Sequence, residues 1–300
     1  MTENNQVYAA ITITGCIYGQ QFIQTITLDA DRPTVHLENR IFWEGERYVR
    51  LEQSFPFASK EPGKILYGVP FGRVEYPKTV YCSLNGDPVP KSSPDDPTSA
   101  IRLVQHWVDI ADSEAGITIG ADHRMWTFDG NTLRNCMLRG IGWTSGGYIL
   151  LDDMSERPNQ RPPRGEYIFR YRLEAHEGKV PPTGRIGWEL NRPVHSVAVA
   201  DFEVASNPGI ALPKLPDTTN TTVIISGIKP AEIGSTVILR CFESAGKTAE
   251  LTLPHTPGWS FCETDFSETK EDTIPAGPVT FRPFEIKTIK IIRMHEHGNA

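Results

Sequence analysis

The sequence predicts an all-β protein made of two antiparallel sandwiches, a large one followed by a small one. Its length of 300 residues is enough to bury a sizeable core. The 25 glycines and 24 prolines recur at short intervals and separate apolar runs, as turn residues do in β proteins. Several of those runs alternate polar and apolar residues, which is the pattern of a strand with one buried face.

The first predicted strands lie at residues 8–14 and 22–28, with a turn at 15–21 between them. In both runs one face is apolar and the other is rich in threonine and glutamine, as in antiparallel strands with one buried face. Residues 35–57 then predict two long strands. An acidic, glycine-containing turn at 44–46 separates them, which indicates a β-hairpin.

Residues 56–97 predict mostly loop, with one short ordered piece at 67–71. The following run allows two interpretations. Ile101, Val104 and Val108 are spaced roughly as on one face of a helix, whereas Trp107 and the β-branched residues around it suit a strand. We favour the strand, which ends in a turn at 112–116.

Further short strands are predicted at 116–119, 125–128, 132–138, 148–151 and 167–173. The composition changes at 206–220, which is too rich in proline and turn formers to be the interior of an element. We therefore predict a large sandwich over residues 7–205, a linker over 206–217 and a small sandwich over 218–293.

The charge and the cysteines limit the class of protein. A net charge of -7, from 37 acidic and 30 basic residues, argues against nucleic acid and anionic membranes as partners. The N-terminus lacks the pattern of a signal peptide, and no apolar stretch approaches the roughly 20 residues of a membrane span. The five cysteines contain no CxxC pair and fit free thiols in a reducing compartment. A cytoplasmic protein is the expectation.

Several short motifs occur in a fixed order between residues 43 and 288. They are Trp43-Glu44, Pro70-Phe71-Gly72, Trp107-Val108-Asp109, Met137-Leu138-Arg139, GEYIFRYRL at 165–173 followed by His176 and Gly178, SGIK at 226–229, LRCFE at 239–243 and PFEIKT at 283–288. Each motif alone is weak evidence. In this order they resemble the C-terminal β-sandwich region of glycoside hydrolase family 38, the α-mannosidases. The resemblance implies a galactose mutarotase-like supersandwich for the large domain.

The resemblance also implies retaining, zinc-dependent chemistry in an N-terminal α/β barrel. Such a site needs two carboxyl groups about 5 Å apart and gathered zinc ligands. This chain shows no alternating strand and helix pattern, and its eight histidines form no HxxxH or HxD motif. We expect no catalytic residue, metal ligand or cofactor in this chain, with the zinc in a barrel domain or partner chain.

Two residues are candidates for contact with a mannose-containing glycan. Arg139 matches the position where the resemblance implies that an arginine approaches the sugar, and a planar guanidinium can hold two hydroxyls at once. A surface arginine on a strand edge is the alternative. Trp143, in the glycine-rich residues 140–148, is the tryptophan that we expect to be exposed and to stack on a sugar.

The carboxylates do not predict a separate hydrolase site. The Asp pairs at 95–96 and 152–153 are adjacent, so strand geometry turns their side chains to opposite faces. Asp109 and Asp112 could face each other across a turn, but turn chemistry explains them equally well. The sequence shows no self-contained acid and base pair.

These observations predict the non-catalytic C-terminal part of an α-mannosidase-like glycoside hydrolase, acting in mannose metabolism. Its expected role is to buttress the catalytic barrel and to line the sugar site, and the chain alone is expected to be inactive. Two alternatives remain open. One is a free-standing carbohydrate-binding β-sandwich protein, and the other is a purely structural module without a ligand.

Overall fold

The computed structural model describes residues 2–45, 50–59, 63–76, 101–139, 162–178, 184–193, 214–233 and 236–294. These ranges contain strands almost throughout and one short helix, which confirms the all-β prediction. The chain divides into two compact units. The first unit comprises Met1–Val69 and Val74–Arg192, and the second comprises Pro70–Arg73 and Pro193–Ala300.

The elements follow one another in chain order. They are β1 (Glu3–Asn4), β2 (Tyr8–Ile17), β3 (Gln20–Asp29), β4 (Thr34–Trp43), β5 (Arg50–Pro56), β6 (Lys64–Val69), β7 (Gly72–Tyr76), β8 (Ile101–Leu103), β9 (Trp107–Ala111), β10 (Ala115–Ala121), β11 (Met125–Asp129), β12 (Thr132–Arg139), β13 (Gly165–Glu177), α1 (Arg185–Asn191), β14 (Val223–Pro230), β15 (Val237–Glu243), β16 (Ala249–Leu253), β17 (Trp259–Thr264), β18 (Asp272–Ile274), β19 (Gly277–Phe281) and β20 (Ile286–Arg293).

Two sheets form the sandwich of the first unit. The larger sheet has nine strands in the order β1-β2-β3-β4-β13-β10-β9-β6-β7, and the smaller has four in the order β5-β12-β11-β8. Alternate residues of both sheets meet in one core, as the period of two predicts. Ile41 and Trp43 enter it from β4, Trp126 from β11 and Leu133 from β12, and each is at most 2% exposed.

Residues 35–57 contain two strands as predicted, but these strands do not form a hairpin. β4 pairs with β3 and β13 in the larger sheet, whereas β5 pairs with β12 in the smaller sheet. The chain therefore crosses between the layers around Gly45, which has a φ of 89°. Alternation indicates which residues face a core, but it does not distinguish a hairpin partner from a strand in the facing sheet.

Two other local predictions change, and a third is confirmed. β2 continues to Ile17, and the turn to β3 is only Tyr18 and Gly19, whose positive φ values of 52° and 80° match a two-residue hairpin turn. The predicted loop at 56–97 contains the neighbouring strands β6 and β7. The strand interpretation of residues 101–111 is confirmed by β8 and β9, which lie in different sheets. The predicted strand at 148–151 lies outside the described residues.

The helix α1 covers part of the outer face of the nine-stranded sheet, the face that points away from the core. The close approach depends on small residues: a Cβ added to Gly120 of β10 would lie 2.8 Å from the Cα of Gly187 in α1. Helix and sheet therefore touch backbone to backbone at this point. With seven residues, α1 is far too short to cross a membrane, and no longer helix occurs in the described ranges.

The second unit is a smaller sandwich. Its five-stranded sheet has the order β14-β15-β20-β17-β18 and faces the two-stranded pair of β16 and β19. Leu239, Leu251, Phe281 and Ile289 are fully buried between these layers. The predicted linker at 206–217 lies largely outside the described residues, so its bounds remain a prediction.

Candidate functional site

Arg139, the sequence-predicted sugar contact, is the last residue of β12. The register between β12 and β5 shifts between Cys136 and Leu138, which makes Met137 the extra residue of a β-bulge. Met137 and Leu138 consequently both pack into the core. Without this bulge, strict alternation would turn Arg139 inward. With it, Arg139 lies exposed on the outer face of the four-stranded sheet.

Charged and polar side chains surround the start of β5 beside Arg139. Arg50 is the cross-strand partner of Arg139. It forms an ion pair with Glu52 at 2.5 Å and donates a hydrogen bond to the hydroxyl of Thr127. Arg50 therefore has its negative partner, whereas Arg139 forms no salt bridge with any side chain in the described ranges. Among the described residues, the Arg139 guanidinium at the end of β12 therefore has no carboxylate partner.

An apolar strip continues from Arg139 across the same face. The Nη1 of Arg139 lies 3.9 Å from the sulfur of Met125 in β11. Met125 is in turn the cross-strand partner of Leu103 in β8, whose side chain is 77% exposed. We call Arg139, Met125 and Leu103 the outer strip. It combines a cation with exposed apolar surface.

The thiol of Cys136 lies beneath this surface and is not reactive in character. The residue is 5% exposed. Its pKa is raised, mainly by burial, although the nearby Arg50 opposes the shift. A cysteine with a raised pKa is a poor nucleophile. Cys136 is therefore not suited to act as a nucleophile at this site.

Trp143, the second predicted contact, lies outside the described residues, and its role stays a prediction. Three of the remaining tryptophans, Trp43, Trp107 and Trp126, are at most 3% exposed and belong to the interior. Trp188 and Trp259 are partly exposed. The ring of Trp188 lies edge to face with that of His106 at 4.7 Å.

A polar cleft on the outer face of the nine-stranded sheet was missed by the sequence analysis. Two cross-strand rows meet there: Thr25 beside Glu38 and Arg170, and Thr27 beside His36 and Arg172. The cleft has a volume of about 320 Å³, and Leu190 of α1 closes one side. Ion pairs join Arg170 to Glu38 at 3.0 Å and Arg172 to Glu189 at 3.4 Å. Only strand pairing brings these residues together, so sequence spacing gave no signal for them.

The Asp109 carboxylate does not face Asp112 but forms a hydrogen bond with the ring of His176. Its Oδ1 lies 2.7 Å from the Nε2 of His176 and accepts a hydrogen bond from the Thr118 hydroxyl at 2.7 Å. The other ring nitrogen of His176 lies 2.8 Å from the carbonyl oxygen of Glu177. The hydrogen bond to Asp109 raises the pKa of His176. Both ring nitrogens face acceptors, so the protonated ring fits this position best.

The Asp112 side chain stabilises the turn between β9 and β10. Its Oδ1 accepts hydrogen bonds from the backbone N–H groups of Glu114 and Ala115, and its Oδ2 accepts one from Ser59. The bond from Ser59 is the main cause that lowers the pKa of Asp112. The turn interpretation of this residue therefore holds.

The residues that the structure describes do not form a site that fits the zinc implied by the family resemblance. In the ranges that the structure describes, no three His, Cys, Asp or Glu side chains are gathered around one point. A zinc ion needs about four such ligands within ~2.0–2.3 Å. No step of a reaction is therefore assigned to a metal held by these residues.

Comparison with protein families gave two matches. The model of the "Glycosyl hydrolases family 38 C-terminal domain" matches residues 1–143. The model of the "Glycosyl hydrolases family 38 C-terminal beta sandwich domain" matches residues 222–289. Together they cover more than two thirds of the chain. A comparison with curated proteins found no match.

Solved structures show where this fold occurs. An α-mannosidase from Enterococcus faecalis V583 is 18% identical, with a TM-score of 0.64 over 90% of this chain and 29% of its own. A glycosyl hydrolase family 38 protein from Enterococcus faecalis is 17% identical, with a TM-score of 0.60 over 90% of this chain and 30% of its own. The chain thus spans about three tenths of the length of these two proteins.

Proposed function

Because this chain belongs to glycoside hydrolase family 38, as part of its C-terminal region, we propose that it is the non-catalytic support of an α-mannosidase-like enzyme. In this role it buttresses a catalytic barrel and presents Arg139 to the sugar bound there. The barrel, its zinc and the reaction belong to another domain or polypeptide. The chain alone does not hydrolyse mannosides.

The extent of the family matches is the observation that carries this proposal. Both matching models describe C-terminal domains, at residues 1–143 and 222–289. The described residues also lack a cluster that fits a zinc ion. A chain that matches C-terminal domains of this family, and whose described residues gather no metal site, is suited to assist chemistry that takes place elsewhere.

The outer strip is the surface that we assign to the barrel. Leu103 is 77% exposed there, and an exposed leucine beside other apolar groups favours a protein contact. Arg139 lies at the edge of the same strip with its guanidinium free of any carboxylate in the described ranges. A barrel docked on Leu103 and Met125 would bring its sugar site within reach of Arg139, which can donate to two hydroxyls at once.

The test compares the chain with and without a barrel. The purified chain is assayed on a chromogenic α-mannoside with added zinc, and no hydrolysis is expected. A neighbouring reading frame that encodes an α/β barrel is then co-expressed with it, and kcat and KM of the complex are measured. Hydrolysis by the chain alone would refute the proposal.

Two arginine variants give the matched comparison. Arg139→Ala removes a charge-assisted contact to the sugar, so kcat/KM should fall by about 10-fold to 100-fold. Arg134→Ala is the control, because Arg134 lies on the same strand and is 38% exposed but pairs with Asp129 at 3.0 Å. Equal activity in the two variants would show that Arg139 does not line the sugar site.

The alternative function is that of a carbohydrate-binding protein, and the polar cleft favours it. Its volume of about 320 Å³ suits a single sugar unit. Arginine donors and a glutamate acceptor on adjacent strands can bind neighbouring hydroxyls. Calorimetric titration of the chain with α-mannobiose tests this function. Saturable binding that is lost in Arg170→Ala, or in Trp143→Ala, would favour it over the support role.

A cytoplasmic location is part of the proposal and is supported by the thiols. Cys16, Cys136, Cys241 and Cys262 are all unpaired. Burial raises the pKa of Cys241 to about 12, which keeps that thiol protonated and inert. Fractionation of the producing cells tests the location.

A further inference from the structure

One edge of the nine-stranded sheet, along β2, is largely unpaired in the part of the chain that the structure describes. Strand β1 covers only the first part of this edge, at Ala9 and Ala10. Beyond Ala10, no strand in the described ranges pairs with β2 on the side away from β3. The side chains from Ile11 to Cys16 are exposed. An edge of this kind is a template for another strand.

The backbone groups that point to this edge can be identified from the register. The carbonyl oxygens of Tyr8 and Ala10 accept hydrogen bonds from Asn5 and Thr2 on that side. Pairing of β2 with β3 shows no register shift, so the alternation continues along the strand. The N–H and C=O groups of Thr12, Thr14 and Cys16 therefore face outward. No described strand pairs with these six groups.

The edge carries none of the features that prevent strand pairing. Residues 7–28 include no Asp, Glu, Lys, Arg or Pro, although the chain has 67 charged residues in all, 30 basic and 37 acidic. Ile11 and Ile13 are 47% and 46% exposed. Natural proteins normally protect an exposed edge with charges, prolines or bulges. A long and uncharged edge is expected where a partner strand covers it.

We propose that this partner is a second copy of the chain, paired antiparallel through β2. Only one symmetric register uses the whole open edge. It places Thr14 opposite Thr14 of the second copy, and Thr12 opposite Cys16 of the second copy. All six outward backbone groups then form hydrogen bonds, and each residue meets a residue on the same face of the sheet.

Side-chain packing and charge agree with this register. Ile13 falls opposite Gly15 of the second copy, and Gly15 has no atom within 4 Å of the position of an added Cβ. That open space can take the isoleucine, as a strand glycine often does where another chain approaches closely. Two uncharged edges also meet without like-charge repulsion, even though the chain as a whole has a net charge of -7.

This interface is separate from the surface assigned to the barrel. It uses the edge of the nine-stranded sheet, whereas the outer strip lies on the four-stranded sheet. The dimer proposal can therefore be refuted without refuting the support role, and the support role can be refuted without refuting the dimer. Because the interface is one strand wide, we expect moderate affinity, visible as dissociation on dilution.

Cross-linking tests the register. In a hydrogen-bonded antiparallel pair the Cα atoms lie about 5.5 Å apart, which is within the range for a disulfide. Thr12→Cys should therefore form two disulfides with the natural Cys16 of the second copy and give a covalent dimer on non-reducing gels. Thr25→Cys is the control, because Thr25 lies on the same face but one strand further from the edge, and it should stay monomeric on the gel.

Light scattering on a dilution series tests the dimer itself. The wild-type mass should reach twice the 33.5 kDa of the chain. Thr14→Pro removes an outward N–H but no bond to β3, so it should fold and remain a monomer. Thr14→Val keeps the N–H and should remain a dimer.

Three results would overturn the proposal. They are a monomeric wild type at every concentration, a dimer that survives Thr14→Pro, and Thr12→Cys cross-linking no faster than Thr25→Cys. Circular dichroism checks the fold of the proline variant. If that variant is unfolded, the cross-linking comparison decides the question alone.

Discussion

Replacement of Glu243 by alanine should destabilise the second unit more than any other single carboxylate change there. Glu243 ends β15, belongs to the LRCFE motif and is fully buried. Its two oxygens accept five hydrogen bonds. The donors are the hydroxyl of Thr222 at 2.7 Å and the backbone N–H groups of Ala245 at 2.7 Å, Gly246 at 2.7 Å, Phe284 at 3.1 Å and Lys247 at 3.2 Å.

The magnitude follows from these contacts. A hydrogen bond to a charged group contributes about 1.5–3 kcal/mol, and a buried N–H left without an acceptor costs ~1–3 kcal/mol. Such effects do not add fully, since water can enter and the turn can relax. We expect the free energy of unfolding of the second unit to fall by ~3–5 kcal/mol. That is a large share of the roughly 5–15 kcal/mol that stabilises a domain.

Calorimetry and hydrogen exchange measure this loss. The melting temperature of the second unit should fall by more than ~10 °C, at ~4–8 °C per kcal/mol for a domain of this size. Exchange should accelerate in β14 and β15 and not in the first unit. Glu250→Ala, at an exposed position of β16, is the matched control and should change stability by less than ~0.5 kcal/mol. A loss below ~1 kcal/mol in Glu243→Ala would refute the reasoning.

The same carboxylate gives a pH dependence of known sign. Burial alone raises the pKa of Glu243, but the hydrogen bonds from Thr222 and from the backbone outweigh it and hold the pKa below its usual value. Its contribution to stability is therefore present above the unfolded pKa of ~4.3 and is lost as the pH falls through the lower folded value. Glu243→Gln should weaken this acid sensitivity. An unchanged acid profile would contradict the assignment.

Three further predictions concern the first unit. The hydrogen bond to Asp109 raises the pKa of His176. The contribution of His176 to the free energy of unfolding is therefore complete below the unfolded pKa of ~6.5 and is lost as the pH rises through the folded pKa. Urea unfolding at several pH values should show this loss in the wild type and not in His176→Gln. Gly116→Ala should lower stability by ~1–3 kcal/mol in the same assay, because its Cβ would lie 2.2 Å from the His176 ring. Tyr171→Phe removes the hydroxyl that donates a 2.8 Å hydrogen bond to the buried Asn135 side-chain oxygen. Thermal unfolding should show that the free energy of unfolding falls by ~1–3 kcal/mol. An unchanged free energy of unfolding would show that water replaces the hydroxyl.

The sequence motifs proved to mark structural positions as well as a candidate contact. Glu243 of the LRCFE motif accepts hydrogen bonds from the backbone of the turn at 245–247. Trp107 is 3% exposed and packs against Gly184. His176 holds the buried Asp109. The order of the motifs identified the family correctly, and several motif residues make contacts that stabilise the fold. It did not tell which motif residues meet a ligand.

The candidate site could be predicted only in part. Arg139 was predicted through the resemblance, and its contact with a sugar stays a prediction. Its exposure depends on the bulge at Met137, and an extra residue in a strand has no composition signal. The polar cleft was missed because its rows join β3, β4 and β13, and Arg170 is 132 residues from its ion-pair partner Glu38. Pairing across such a separation is not encoded in local spacing.

The sequence by itself determined that this chain is built from strands and which family the chain belongs to, and in strands such as β4 the alternation also indicated which residues face the core. Those properties depend on the alternation of neighbouring side chains and on the order of short motifs, both of which can be read locally. Only the tertiary structure decided which strands pair, so that β4 and β5 lie in different sheets and no described strand covers the edge of β2 beyond Ala10. Backbone hydrogen bonds are chemically the same in every strand, so the choice of partner is made by packing of the whole core.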